Sequence, residues 1–141
     1  MRILAIDYGD AHTGIAISDP TGLLAGFTTV IDAYRPEVVA EWVAALAREH
    51  GADTLVLGHP INMDGTRGPR SEKAQALKVL LEEATGLPVV LWDERRTTID
   101  AHQILQSSGK NAKKRKKVVD AVAASLILEG YLTYRKTHPD P

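Results

Sequence analysis

At 141 residues, 44% hydrophobic and 25% charged, the chain has the size and apolar content of one globular domain spanning residues 1–141. A formal net charge of -1 excludes overall basicity as a source of attraction to nucleic acid, which would have to come from local clusters of Lys and Arg. The lack of cysteine excludes disulfides, thiol nucleophiles and cysteine metal sites.

Ile3, Leu4, Ala5 and Ile6 form an unbroken apolar run, the composition of a strand covered on both faces, and Asp7 follows where that strand would emerge. Gly9 and Gly14 punctuate a polar loop, after which Gly14 to Ser18 is strand-like again, giving a hairpin with Asp7 beside its mouth. At this point Asp7 is equally a turn cap or a functional carboxylate. Asp19 to Gly22 make a turn, and Leu24 to Ile31 completes a three-strand meander. Pro36 suits the first turn of a helix whose apolar stripe, Val38, Val39, Trp42, Val43, Leu46 and Ala47, ends at Gly51.

Thr54 to Leu57 is a short strand after that helix, the order of a parallel crossover unit. The loop INMDGTRGP follows and offers Asn62, Asp64 and Arg67 either as substrate contacts at a strand's carboxyl end or as a plain surface turn. Pro69 and Ser71 introduce a second helix, with Ala74, Leu77, Leu80, Leu81 and Ala84 on one side and Gly86 as its stop. The strand Val89 to Trp92 ends in Asp93 and Glu94, followed by Arg95 and Arg96. Thr97 with Asp100 resembles a capping box for a short helix through Leu105. A loop from Ser107 to Asn111 and the basic run Lys110 to Lys117 then precede a last helix from about Lys116 to Tyr134. This order predicts an α/β domain: a mixed sheet of about five strands, an antiparallel meander plus parallel strands, with helices on both faces.

Asp120 shares a helix face with Ala123, Ala124 and Ile127, the side that packs on the sheet, where an unpaired carboxylate costs several kcal/mol. A buried salt bridge and a metal ligand are the two ways to accommodate it. If the first strand is central and the last lies parallel beside it, Asp7, the Asp93 and Glu94 pair, and Asp120 meet at one edge. Oxygen ligands without cysteine or paired histidine suit Mg2+ or Mn2+. Two such ions about 4 Å apart activate a water and stabilise the leaving oxygen in phosphodiester hydrolysis.

The segments IDYGDAHTGIAISD, LGHPINMDGTRGP, LWDERRTTIDA and KKRKKVVDAVAASLIL together resemble the YqgF family, also called RuvX, related to Holliday junction resolvases of the RuvC type. The resemblance implies an RNase H-like fold and metal-dependent nuclease chemistry at the 5' end of 16S ribosomal RNA, with junction resolution as the alternative activity. It assigns Asp7, Asp120 and the Asp93 and Glu94 pair to the catalytic acids, and strand alternation favours Glu94 as the ligand. The first loop departs from the family pattern: Ala11 and His12 stand where relatives carry Arg or Lys, and His12 reads as a solvated loop residue.

Lys110, Lys113, Lys114, Arg115, Lys116 and Lys117 crowd into eight residues before Asp120, a run that attracts phosphates without sequence specificity. Arg95 and Arg96 either add phosphate contacts or pair with Asp93, Glu94 or Asp100. The expected partners are therefore RNA, as precursor 16S rRNA or a pre-ribosomal particle, or branched DNA, bound by a monomer or homodimer. A third reading is a ribosome-assembly factor that binds RNA without cutting it. No apolar run approaches membrane-spanning length and MRILAID turns acidic too soon for a signal peptide, so a cytoplasmic protein without membrane association is expected.

Overall fold

The computed structural model describes residues 2–9, 12–19, 25–59, 68–93 and 112–137, with backbone alone at 25, 112–120 and 137. Their elements follow the order β1 (Ile3–Tyr8), β2 (Thr13–Ser18), β3 (Ala25–Ile31), α1 (Pro36–His50), β4 (Thr54–His59), α2 (Pro69–Thr85), β5 (Val89–Asp93) and α3 (Ala112–Thr137). The strands form one five-stranded sheet in the order β3-β2-β1-β4-β5. β2 is antiparallel to both β1 and β3, whereas β1, β4 and β5 run parallel. The expected mixed α/β sheet is therefore the one that forms. β1 sits in the middle because Ile3, Leu4, Ala5 and Ile6 are all at most 1% exposed, an apolar run that needs cover on both faces.

Side-chain alternation divides the core in two. Leu4, Ile6, Ile15, Ile17, Leu55, Leu57 and Val89 face α1 and α2, where they meet Val39, Val43, Leu77 and Leu81. Ile3, Ala5, Ala16, Val56 and Trp92 face the other way, beneath Ala124, Ile127, Leu128 and Leu132 of α3. Helices thus cover both faces, as expected. The layer under α3 is thin, since Ala5, Ala16 and Ala124 are fully buried and let helix and sheet approach closely. Near the far end of α3, a Cβ added at Gly130 would stand 3.2 Å from the Trp92 ring, so glycine there makes room for the indole.

Both α1 and α2 begin on a proline in the first turn and end on a glycine with φ of 68°, Gly51 and Gly86. The apolar face of α1 differs from the expected stripe. Val39, Ala40, Val43, Ala44 and Ala47 are buried, while Trp42 is 53% and Val38 36% exposed. The helical period explains this, because Val38 and Trp42 lie about 100° from the buried row and small alanines at 40 and 44 fill the contact instead. On α2, Ala84 is exposed and Ser71 takes a buried place.

Pairing also lengthens the strands: β1 continues through Tyr8, β4 through His59 and β5 through Asp93. At the other end of the chain, α3 begins at Ala112, earlier than the charge run suggests, because Ala, Lys and Arg are strong helix formers. The short helix expected through Leu105 and the loop from Ser107 to Asn111 lie outside the described residues. Among the described residues no helix is long and apolar enough to cross a membrane.

Tight packing under α3 predicts that Ala124→Leu lowers stability by about 1–3 kcal/mol in a urea titration, since the added methylenes have no space to enter. By contrast Val79→Ala, at a position 52% exposed on α2, is expected to stay within about 0.5 kcal/mol of the wild type.

Candidate active site

Asp7 lies inside β1, where it pairs with Gly14 of β2, and the ladder runs one residue further to Tyr8 and Thr13. Asp7 is therefore a residue of the strand itself and not of the turn that follows it. Its side chain alternates with that of Ile6 and so shares the α3 face with Ile3 and Ala5. On the other flank β4 pairs Leu57 with Ile6, which brings Gly58 level with Asp7. Glycines therefore stand level with Asp7 on both sides of the ladder.

β5 is not the neighbour of β1, because β4 lies between them. The three parallel strands still finish along one edge, with Gly58 opposite Trp92 and His59 opposite Asp93. Each step across a sheet is about 4.8 Å, so the backbones at Asp7 and at the end of β5 are about 9.6 Å apart. Trp92 is buried on the α3 face, with edge-on contacts to Tyr131 and Tyr134 at 5.9 and 5.7 Å between centroids. Asp93, the next residue, consequently faces the α1 and α2 side, opposite to Asp7. Position 120 precedes Ala124, Ile127 and Leu128 by four, seven and eight residues, which puts it on the inner face of α3.

The basic run has a different setting from the expected loop. Lys113, Lys114, Arg115, Lys116 and Lys117 belong to the opening turns of α3, whose first turn holds no acidic residue. Cations at that end oppose the helix dipole, so sequence and local structure are in conflict there. Glu94, Arg95, Arg96, Lys110, Asn62, Asp64 and Arg67 lie outside the described residues.

His12 is not the solvated loop residue it resembles in sequence. Its side chain is 20% exposed, and Nδ1 lies 2.9 Å from Oδ1 of Asp32. Nearby, Thr13 Oγ1 donates to the Ala33 carbonyl at 3.0 Å and the Tyr8 hydroxyl donates to the Tyr34 carbonyl. Gly9 closes the same hairpin, donating to the His12 carbonyl at 3.1 Å, and a Cβ at residue 9 would fall on that oxygen.

A second polar group escaped the sequence reading. His59 is 5% exposed and its Nε2 lies 2.6 Å from Oγ of Ser71, which is fully buried and also accepts from Gln75 Nε2 at 3.2 Å. The only hint in the sequence is a histidine directly after the apolar TLVLG run.

Among the described residues, no three His, Cys, Asp or Glu side chains gather as a metal site. Asp7 nonetheless offers oxygen donors on the α3 face, and the glycines level with it add no Cβ next to it. Both features fit a hard, hydrated cation such as Mg2+ or Mn2+.

A family model described as "RuvX: Holliday junction resolvase" matches residues 1–134 of the chain. A protein of Halothermothrix orenii named as a candidate pre-16S rRNA nuclease is 42% identical over 135 residues, 96% of each chain. One of Syntrophus aciditrophicus with the same name is 45% identical over 134 residues, 94% of this chain and 88% of the relative. Among solved structures, T. thermophilus RuvC in complex with a Holliday junction substrate aligns with a TM-score of 0.60 at 14% identity, covering 95% of this chain and 96% of that one. The fowlpox virus Holliday junction resolvase aligns with a TM-score of 0.54 at 16% identity, covering 98% and 99%. At such identities these two structures share the fold.

The conflict at the start of α3 yields a test. Lys113→Glu and Lys114→Glu are each expected to raise stability by about 0.3–1 kcal/mol at low ionic strength, read from urea midpoints, with the gain fading in high salt.

Proposed function

Because the chain belongs to the RuvX family, we propose that it is a metal-dependent endonuclease that hydrolyses phosphodiester bonds of structured nucleic acid, with the 5' extension of precursor 16S rRNA as its substrate. One observation carries the reading. Asp7 stands on the central strand, at the edge where three parallel strands end, and on the face covered by the helix that bears Asp120. Strand alternation turns Asp93 away from that face, which leaves Glu94, the next carboxylate in the chain, as the acid the family pattern supplies there. Asp7, Glu94 and Asp120 are therefore the residues that would hold Mg2+ or Mn2+, and Asp93 is not needed as a ligand. When bound, such ions would supply activation of the attacking water and stabilisation of the leaving oxygen.

The chain itself supplies position and grip. Pairing with Gly14 of β2 at Asp7 itself, and with β4 up to Ile6, holds the backbone there, so its carboxylate starts from a rigid base. The cations that open α3 attract phosphates near the acid carried seven residues after Lys113 on the same helix. Arg95, Arg96 and Lys110 extend that grip, and Asn62, Asp64 and Arg67, which follow β4 in the chain, provide further contacts. Four-way DNA is the second reading, favoured by the fold shared with solved junction resolvases.

The acids are tested by cleavage of a 5'-extended 16S precursor in Mn2+ or Mg2+. Asp7→Asn, Glu94→Gln and Asp120→Asn are each expected to lose on the order of a hundredfold or more in rate. Asp93→Asn at saturating metal is expected to lose less than about tenfold. Equal activity in the first three variants would remove the assigned site. A four-way junction assayed beside the precursor, with mass by light scattering, separates the substrates and tells monomer from homodimer. Tight RNA binding with no metal-dependent product would instead make the protein an assembly factor. In the same binding assay, Lys113→Ala with Lys114→Ala should reduce the slope of log affinity against log salt by about 0.7–0.9 for each phosphate that the wild-type lysines neutralise.

A further inference from the structure

β4 lies between β1, which carries Asp7, and β5, after which Glu94 is the next residue in the chain, so the end of β4 bears on how far apart β1 and the end of β5 stand. His59 is the last residue of β4, and Asp93, its partner in the parallel register, is the last residue of β5. Both alternate onto the α1 and α2 side, away from Asp7. There His59 Nε2 meets the Ser71 hydroxyl at 2.6 Å, and Ser71 is the third residue of α2. Ser71 is anchored in turn, by its own N–H on the Gly68 carbonyl at 3.0 Å and by Gln75 Nε2 on its hydroxyl at 3.2 Å.

A histidine and a serine at 5% and 0% exposure, bonded to each other under a helix start, do not reach substrate. They do tie the carboxyl end of β4 to α2. Such a tie is directional: a hydrogen bond of this length fixes the ring, whereas an apolar contact would let the strand end slide. Removing either partner takes away the bond that joins β4 to α2, while Gln75 Nε2 on the Ser71 hydroxyl stays within α2.

We propose that the His59–Ser71 hydrogen bond, with Asp93 beside it in register, is a positioning device that holds the ends of β4 and β5 so that Asp7 and the carboxylate that follows β5 keep the spacing a metal requires. The proposal rests on the reading of Asp7 and Glu94 as ligands. His59 and Ser71 are positioning residues, acting through the strand ends and touching neither metal nor nucleic acid.

The test is titration of the intact protein with Mn2+ alone, followed by electron paramagnetic resonance or calorimetry, beside the metal dependence of cleavage. His59→Leu and Ser71→Ala are expected to weaken Mn2+ binding by about 10–100-fold, with most of the rate recovered at saturating metal. His59→Gln, which keeps a side-chain donor for Ser71, is expected to bind Mn2+ within about threefold of wild type. The double variant His59→Leu with Ser71→Ala should be no weaker than either single one, because one interaction is removed once. Lower thermal stability with unchanged Mn2+ affinity in His59→Leu and Ser71→Ala would overturn the proposal, provided that Asp7→Asn and Glu94→Gln abolish binding. If those two variants bind Mn2+ normally, the ligand reading itself fails and the positioning role falls with it.

Discussion

The parallel pairing of β1 with β4 and of β4 with β5 is the constraint on which the rest of the molecule depends. Parallel strands must be joined by crossovers, and the crossovers α1 and α2 occupy one face. The other face is left for α3. Three strands running the same way also bring three carboxyl ends to one edge, which no antiparallel meander does. Period-two alternation then divides that edge by face: Asp7 goes with α3, while His59 and Asp93 go with α2.

Packing under α3 follows from this arrangement. A helix that carries an acid on its inner face has to lie close to the sheet if that acid is to work with one on β1. The fully buried alanines at 5, 16 and 124 permit the approach, and Ile127, Leu128 and Leu132 contribute the apolar burial that holds the helix down. Bulk is greatest toward β5, where Trp92 packs against Tyr131 and Tyr134 and Gly130 gives way to the indole. The same layer is thus thin where Ala5 and Ala16 sit and thick where it only needs filling.

Much of this was readable from residues. The apolar run before Asp7, the prolines and glycines that bound α1 and α2, and the order of strands and helices are local signals, and each has a local cause. Tertiary choices were less readable. Nothing in the sequence says that β4 enters between β1 and β5, since strand order depends on which edges are free when each unit docks. Val38 and Trp42 looked as apolar as Val39 and Val43, yet two alanines in the contact row turned the helix away from them. Charge misled at the start of α3, because repulsion within KKRKK resembles a loop signal until packing further along the helix holds the first turns in place. Ser71 and His59 are ordinary residues until the fold brings them 2.6 Å apart.

The opening of α3 is where stability and the proposed function pull in opposite directions. Five cations in succession oppose the helix dipole and repel one another, and no acidic residue relieves them in the first turn. Residues chosen for helix stability alone would put Asp or Glu there. Seven residues on, at a rise of about 1.5 Å each, stands Asp120, about 10 Å along the same rigid axis. On the proposed reading, a phosphate drawn to the cations would be held at a set distance from the acid, since one continuous helix joins the two positions. Grip and chemistry on one helix require that helix to be anchored elsewhere, and the buried run from Ala124 to Leu132 is the anchor.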